Sequence, residues 1–273
     1  MDMVNKTWSF SKFRLFEECP KAWWLNEHSK GESRNLVPLH SLIGISVHES
    51  ISYLIDMWIN NDPVSEREVM QVGTTLIKQV WRNRNDKIIE YVNRTETDDT
   101  IELKIERSFN KLLEKFFLYI WPTFENDRYV THEKLFELHI EGYKLFIKPD
   151  LVTKDPSGNL VITDWKTSSA YDDSIQSFQV LTYALWATRY YETDPQRVVL
   201  QVVNLRTGRS IRSKFSQEQE KETLETIKFQ CMKLDSIYQE QIPQPKPESK
   251  KCKGCLHLNY CEEGKRVAMK TRN

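Results

Sequence analysis

The sequence predicts a protein that mixes α-helices with β-strands, and three observations carry that reading. Apolar residues recur at three- and four-residue steps over 42–60 and 100–121, the spacing of buried helical stripes. Between 130 and 166 the pattern changes to β-rich runs, interrupted by the dense turn signal Lys154-Asp155-Pro156-Ser157-Gly158-Asn159. Helical spacing then returns over 173–191 and 217–239, with two short strands between them.

The segment 9–26 carries Phe10, Phe13, Phe16, Trp23 and Trp24, offers Ser9 or Ser11 as a cap, and is broken by Pro20. It reads as a helix, a turn at Cys19-Pro20 and a second short helix. Ile43, Val47, Ile51, Leu54, Ile55 and Trp58 form one buried stripe, and His48 lies inside that helix. Residues 64–92 are polar with weaker helical spacing. The next helix runs through Ile105, Phe109, Leu112 and Phe116, and Pro122 stops it. Residues 130–140 and 143–153, joined at Glu141-Gly142, and then 160–166 read as a meander of three strands. Strands over 197–204 and 209–215 surround Arg206-Thr207-Gly208. Pro243, Pro245 and Pro247 make a stiff linker to a cysteine-rich end.

A chain of 273 residues can bury a substantial core, and we read one domain with helical additions. Lys plus Arg equals Asp plus Glu at 39 each, so the summed charge exerts no long-range pull on a polyanion and any nucleic-acid contact must come from a local patch. No apolar run approaches the roughly 20 residues that span a bilayer, and the amino terminus lacks a signal-peptide pattern. The expectation is a cytoplasmic protein, nuclear in a eukaryote, with no membrane partner. In that reducing setting the five cysteines point to metal binding or catalysis before disulfides.

The chemistry concentrates in Pro149-Asp150, followed after one hairpin by Asp164-Trp165-Lys166. Side chains alternate along a strand, so Asp164 and Lys166 share a face. If the preceding strand pairs through the turn at 154–159, Asp150 approaches Asp164, and both can bind one hard cation such as magnesium or manganese. Such an ion polarises a phosphate oxygen and acidifies a bound water, which Lys166 would orient. Three charges of this kind also occur as surface ion pairs. Here the apolar lead-in Leu160-Val161-Ile162 marks a buried strand, at whose end charges are costly unless used.

Lys148-Pro149-Asp150, Asp164-Trp165-Lys166 and the following Gln179-Val180-Leu181-Thr182-Tyr183 together resemble the PD-(D/E)XK nuclease superfamily, specifically its RecB-like branch. Gln179 and Tyr183 are four apart, so a helix presents both to one site. The resemblance implies that an upstream helical histidine, matched by Gly44-Ile45-Ser46-Val47-His48, completes the metal site. It also implies a glutamate one strand before Asp150, for which Glu133 and Glu137 both qualify.

Cys252-x-x-Cys255 and Cys261 cluster near one end, and Cys19 lies far away. Four thiolates can hold zinc or an iron-sulfur cluster. One distant ligand with three grouped ones, and Ser9-Phe10-Ser11 before Cys19-Pro20-Lys21-Ala22-Trp23-Trp24, resembles the iron-sulfur nucleases of that branch, including AddB-type nuclease domains and the CRISPR-adaptation nucleases. A 4Fe-4S cluster on Cys19, Cys252, Cys255 and Cys261 is thereby implied, clamping the two ends across the catalytic core. Cys231 reads as a small buried hydrophobe.

The resemblance covers Ser9 to Cys261. It implies an α/β, restriction-endonuclease-like core of a small mixed sheet flanked by helices over 126–215, a helical insertion over 30–125, and an iron-sulfur segment over 243–273 closing onto 9–27. The implied activity is metal-dependent cleavage of DNA, as an exonuclease on single-stranded or end-containing DNA in repair, recombination or replication. The rival is a non-catalytic DNA-binding or assembly subunit. Lys250, Lys251 and Lys253 form either a phosphate-binding strip or a solvated tail, and Arg206 is a further phosphate candidate. Trp8, Trp23, Trp24 and Trp165 are expected mostly in the core. No Walker loop is present, so a helicase motor would have to be a partner in trans.

Overall fold

The computed structural model describes residues 7–28, 37–82, 88–89, 97–167, 177–238 and 242–269. A short strand β1 (Thr7–Trp8) precedes α1 (Phe10–Glu18), whose cap is Ser9: its Oγ accepts from the Lys12 N–H. Helix α2 (Pro20–His28) follows directly, with Pro20 at the helix start, where its missing N–H costs nothing. Strand β2 (Val37–Pro38) leads into α3 (Leu39–Asn60), then α4 (Glu66–Arg82), β3 (Ile88–Ile89) and α5 (Asp98–Lys115). The last continues as one π turn (Phe116–Ile120) and a 3-10 turn (Trp121–Phe124) that accommodates Pro122.

The expected three-strand meander is corrected to five strands in two sheets. The 130–140 run splits into β4 (Arg128–His132) and β5 (Phe136–Ile140), and the 143–153 run into β6 (Tyr143–Ile147) and β7 (Leu151–Lys154). Glu133, at φ 46°, takes the left-handed conformation and turns the first run out of its ladder. Pro149 has no N–H to give a ladder and breaks the second. Both runs therefore change sheet at the same place. Strand β6 pairs with β1 on one side and β5 on the other, whereas β4 and β7 join β8 (Leu160–Lys166).

Helix α6 (Phe178–Tyr190), capped by Ser177, crosses over to β9 (Val198–Asn204), which runs parallel to β8; β10 (Arg209–Lys214) returns antiparallel. The expected helix over 173–191 thus begins at Phe178, and 173–176 lie outside the described residues. The main sheet has the order β10-β9-β8-β7-β4 and is mixed. One face packs Val152, Ile162 and Leu200 against α1, α2, α6, the small sheet and α7 (Gln217–Tyr238). The other packs Leu151, Trp165 and Val203 against α3, α4 and α5. Trp8, Trp23 and Trp165 are buried, and Trp24 stacks on His28.

After the prolines come α8 (Ser249–Lys253) and α9 (Glu262–Met269). Lys21 Nζ lies 2.9 Å from Glu263 Oε2, and Lys246 Nζ donates to the Glu17 carbonyl at 3.1 Å, so this segment lies on α1 and α2. Among the described residues, no helix is long and apolar enough to cross a membrane.

The helical layer depends on one glycine. On the buried stripe of α4, a Cβ at Gly73 would stand 2.2 Å from the Phe109 ring and 2.5 Å from Ser50 Oγ. Helices α3, α4 and α5 meet where that side chain is missing. Gly73→Ala is therefore expected to destabilise the fold by about 1–3 kcal/mol, because overpacking forces the ring or a helix to shift. A urea midpoint equal to that of the parent protein would contradict this close approach.

Candidate active site

The two corners at which strands change sheet bring the first acids together. Glu133 ends the first run, and its N–H donates to the carbonyls of Pro149 (3.1 Å) and Asp150 (3.2 Å), which ties one corner to the other. Asp150 stands just before β7, buried, with Oδ2 accepting the Trp165 N–H at 2.6 Å. That bond fixes the carboxylate against β8 and leaves Oδ1 facing α3. His48, on α3, places Nδ1 3.0 Å from Glu133 Oε1 and 3.5 Å from Asp150 Oδ1. One ligand atom from each of His48, Glu133 and Asp150 lies within 4.8 Å of the others, a donor set suited to a hard divalent cation.

Strand alternation puts Asp164 and Lys166 on the α6 face of β8, as expected. Lys166 Nζ lies 2.7 Å from Asp164 Oδ2 and donates to Gln179 Oε1 at 2.9 Å; Gln179 Nε2 in turn donates to the Tyr183 hydroxyl at 2.8 Å. Gln179 and Tyr183 are successive-turn neighbours on α6, so one helix face delivers both. The site is a seam: α3 supplies the imidazole from one face of the sheet and α6 supplies the amide and phenol from the other.

Asp164 pairs with Lys166 and is not one of the three residues grouped above, yet its carboxylate lies near enough to raise the pKa of both His48 and Asp150. Of the two candidate glutamates, Glu137 is exposed on β5 and pairs with Lys144 and His139, while Glu133 faces His48. Lys148, which the sequence showed only as the residue before Pro149, lies 2.5 Å from Glu133 Oε2 and adds a cation at the rim. Its position two residues before Asp150, across the corner from Glu133, emerges only once the strands break.

The electrostatics reflect three acids around one imidazole. Burial opposes charge on His48, yet Asp150, Glu133 and Asp164 outweigh it and raise its pKa to about 9. Burial pushes Asp150 up to about 7, against the pull of His48 and with Asp164 and Glu133 adding to it. Glu133 also suffers burial, but His48 and Lys148 hold it below the usual range. Burial, then the neighbouring Asp150 and Asp164, raise Tyr183 and keep it a neutral hydroxyl.

These shifts give the metal-free protein a pH signature. His48, raised on folding, contributes stability that is complete below about pH 6.5 and is lost as pH rises through about 9. Asp150, also raised, loses its contribution between its unfolded value near 4 and about 7. Thermal melts of chelator-treated protein should therefore fall in midpoint from pH 6 to 9.5, and His48→Gln should flatten the upper half of that slope. Parallel profiles for parent and variant would refute the assignment.

Four thiols converge on a second place. Cys19, Cys252, Cys255 and Cys261 line one cavity of about 190 Å3 between α2 and α8, with Leu15, Leu25 and Leu258 among its walls. Burial, and after it the nearby Cys19, Cys252 and Cys261, raise the Cys255 thiol, and the Gly264 N–H donates to Cys261 Sγ at 3.4 Å. His257, buried with its pKa lowered by burial, also lines the cavity; a lone histidine between cysteines gave no signal in the sequence. Cys231 is buried in α7, away from this set, and burial raises its pKa to about 12. Lys250 and Lys253 project from α8 into solvent, and Lys251 pairs with Glu248 at 2.7 Å. Arg206 Nε donates to the Thr167 carbonyl at 2.6 Å, directly after the Asp164-Trp165-Lys166 strand end.

Carboxylates and an imidazole gathered for a hard cation, beside an acid-lysine pair at a strand end, define a site of the metal-dependent phosphodiesterase type. Residues 7–262 match the PD-(D/E)XK nuclease superfamily, and the chain belongs to that superfamily, whose members are nucleases. No curated protein matches it. Solved structures that match include the crystal structure of SSO0001, at 14% identity over 92% of this chain and 95% of that one, with a TM-score of 0.30.

Proposed function

We propose that this protein is a metal-dependent deoxyribonuclease that acts as an exonuclease on single-stranded or end-containing DNA, in repair, recombination or replication, and carries a 4Fe-4S cluster. The observation that carries the reading is the unbroken line Asp164, Lys166, Gln179, Tyr183 abutting the group His48, Glu133, Asp150. A magnesium or manganese ion bound by His48, Glu133 and Asp150, with Asp164 joining them, would polarise the scissile phosphate and acidify a water. Lys166 places an ammonium where negative charge develops on the phosphate, and Gln179 fixes its direction. Tyr183, kept protonated, holds Gln179 in turn. Asp150 is held by the Trp165 N–H, so a ligand and the catalytic strand move together.

The cluster reading is supported by the donor set: four thiols drawn from the two ends of the chain line one cavity with leucines in its walls. When bound, a 4Fe-4S group would tie Cys19 to Cys252, Cys255 and Cys261 and thereby hold α2 against α8. The Gly264 N–H to Cys261 is the kind of hydrogen bond that stabilises a ligating sulfur. Arg206 and the lysines Lys250, Lys251 and Lys253 are proposed phosphate contacts, and a helicase or recombination partner would supply any motor.

The test uses anaerobically purified full-length protein with end-labelled linear and circular single-stranded DNA and manganese. Cleavage of the linear strand from its end, abolished by chelator and by Asp150→Asn, is expected. Cleavage of circles at an equal rate would replace exonuclease by endonuclease, and binding without any cleavage would favour a DNA-binding subunit.

A further inference from the structure

Lys148 stands between two cavities. On one side an open space of about 360 Å3 is lined by Gly44, His48, Glu133 and Lys148, so it lies over the candidate metal group. On the other side a cleft of about 200 Å3 is walled by Phe10, Leu135, Phe146 and Ile147 and closed by Lys148, Gln179 and Tyr183. The rings of Phe10 on α1 and Phe146 on β6 are only half-buried. Leu135 is 57% exposed at the strand break between Glu133 and β5. Ser9 and Ser11, whose hydroxyls lie 3.0 Å apart, add polar groups to the lining.

From this arrangement we infer that the cleft is a single-nucleobase pocket, filled by one unpaired base of the DNA strand whose phosphate lies at His48, Glu133 and Asp150. The inference rests on the nuclease reading above and names what that reading leaves open, the residues that receive an unpaired base. The cleft shares Lys148, Gln179 and Tyr183 with the site, so a nucleotide placed across Lys148 sets its phosphate on the acidic, metal-binding side and its base on the apolar side. Apolar and aromatic walls suit a base face, which stacks without regard to sequence, and the serine hydroxyls can meet its polar edge. On this reading the cleft takes one base at a time, so duplex must open or fray before it enters. Phe10, Leu135 and Phe146 are then specificity-determining residues for single-stranded over double-stranded substrate.

The test scans a fluorescent single-stranded oligonucleotide with one abasic site moved along it, measuring both affinity in calcium and cleavage in manganese, for the parent protein, Phe10→Ala and Leu135→Asp. The second variant changes an exposed side chain and so guards against loss of fold. In the parent, an abasic site at one position is expected to weaken binding about tenfold, within the range of one lost stacking contact, and the same position should cost nothing further in either variant. A parent protein indifferent to the abasic site at every position, or an equal penalty in parent and both variants, overturns the pocket. The two readings separate cleanly: cleavage without base dependence removes the pocket and leaves the nuclease, and base-dependent binding without cleavage in manganese does the reverse.

Discussion

Lys166→Ala is expected to slow phosphodiester cleavage by about 10²- to 10⁴-fold, the usual contribution of one positioned catalytic group. The ammonium is held from two sides, by Asp164 at 2.7 Å and by Gln179 at 2.9 Å, so its position is fixed before substrate arrives. Its removal takes away the ammonium beside Asp164 at the end of β8, while His48, Glu133 and Asp150 keep their mutual geometry. Metal affinity measured by calorimetry should therefore stay within a few-fold of the parent as cleavage collapses. Lys166→Arg should rescue little, because a planar fork cannot occupy the place of a compact point charge between those two oxygens. Gln179→Ala should cost less than Lys166→Ala, since it frees the ammonium without removing it. Undiminished cleavage by Lys166→Ala would sink the catalytic assignment outright.

The second large effect is expected at the other centre. Cys19→Ser should abolish the broad visible absorbance of an iron-sulfur protein and lower the folding stability markedly. Cys19 and Cys252 lie roughly 230 residues apart, and on a chain-entropy reckoning a cross-link over that span restricts the unfolded chain by about 5 kcal/mol. Among the described residues, the Lys21–Glu263 pair, the hydrogen bond from Lys246 to the Glu17 carbonyl and apolar contacts would still hold the segments together. Limited proteolysis should then cut first within the proline-rich stretch around residues 242–248, which is extended and largely exposed. Cys231→Ala is the control and should leave absorbance unchanged, since that thiol is buried in α7 and lines no part of the cavity. Zinc in place of iron by elemental analysis would refute the cluster and keep the clamp.

The parts of the site that could be read from the sequence are those whose geometry is local. Asp164 and Lys166 share a face because the strand repeats every two residues, and Gln179 and Tyr183 share one because the helix turns every 3.6. The ends of α3, α7, β9 and β10 were legible to within a few residues for the same reason. The meander was misread because composition shows β-rich runs but not a left-handed Glu133, and Pro149 alone did not reveal that both runs break at one place. The choice between Glu133 and Glu137 was open for a related cause. Four residues apart on a presumed single strand, they would share a face, and only the break between β4 and β5 sends them to different environments.

By itself, then, the sequence determined the chemistry on offer: the acid-x-lysine strand end, the glutamine and tyrosine on the next helix, and a thiol set split between distant segments. Tertiary structure alone decided which of these groups meet. His48 and Glu133 are 85 residues apart, and their 3.0 Å contact exists because α3 packs on one face of the main sheet while two strands turn the same corner beside it. The same corner brought in Lys148. Backbone periodicity fixes relations within an element, but a contact between elements depends on how whole helices and strands bury their apolar faces, and no short stretch of sequence carries that information.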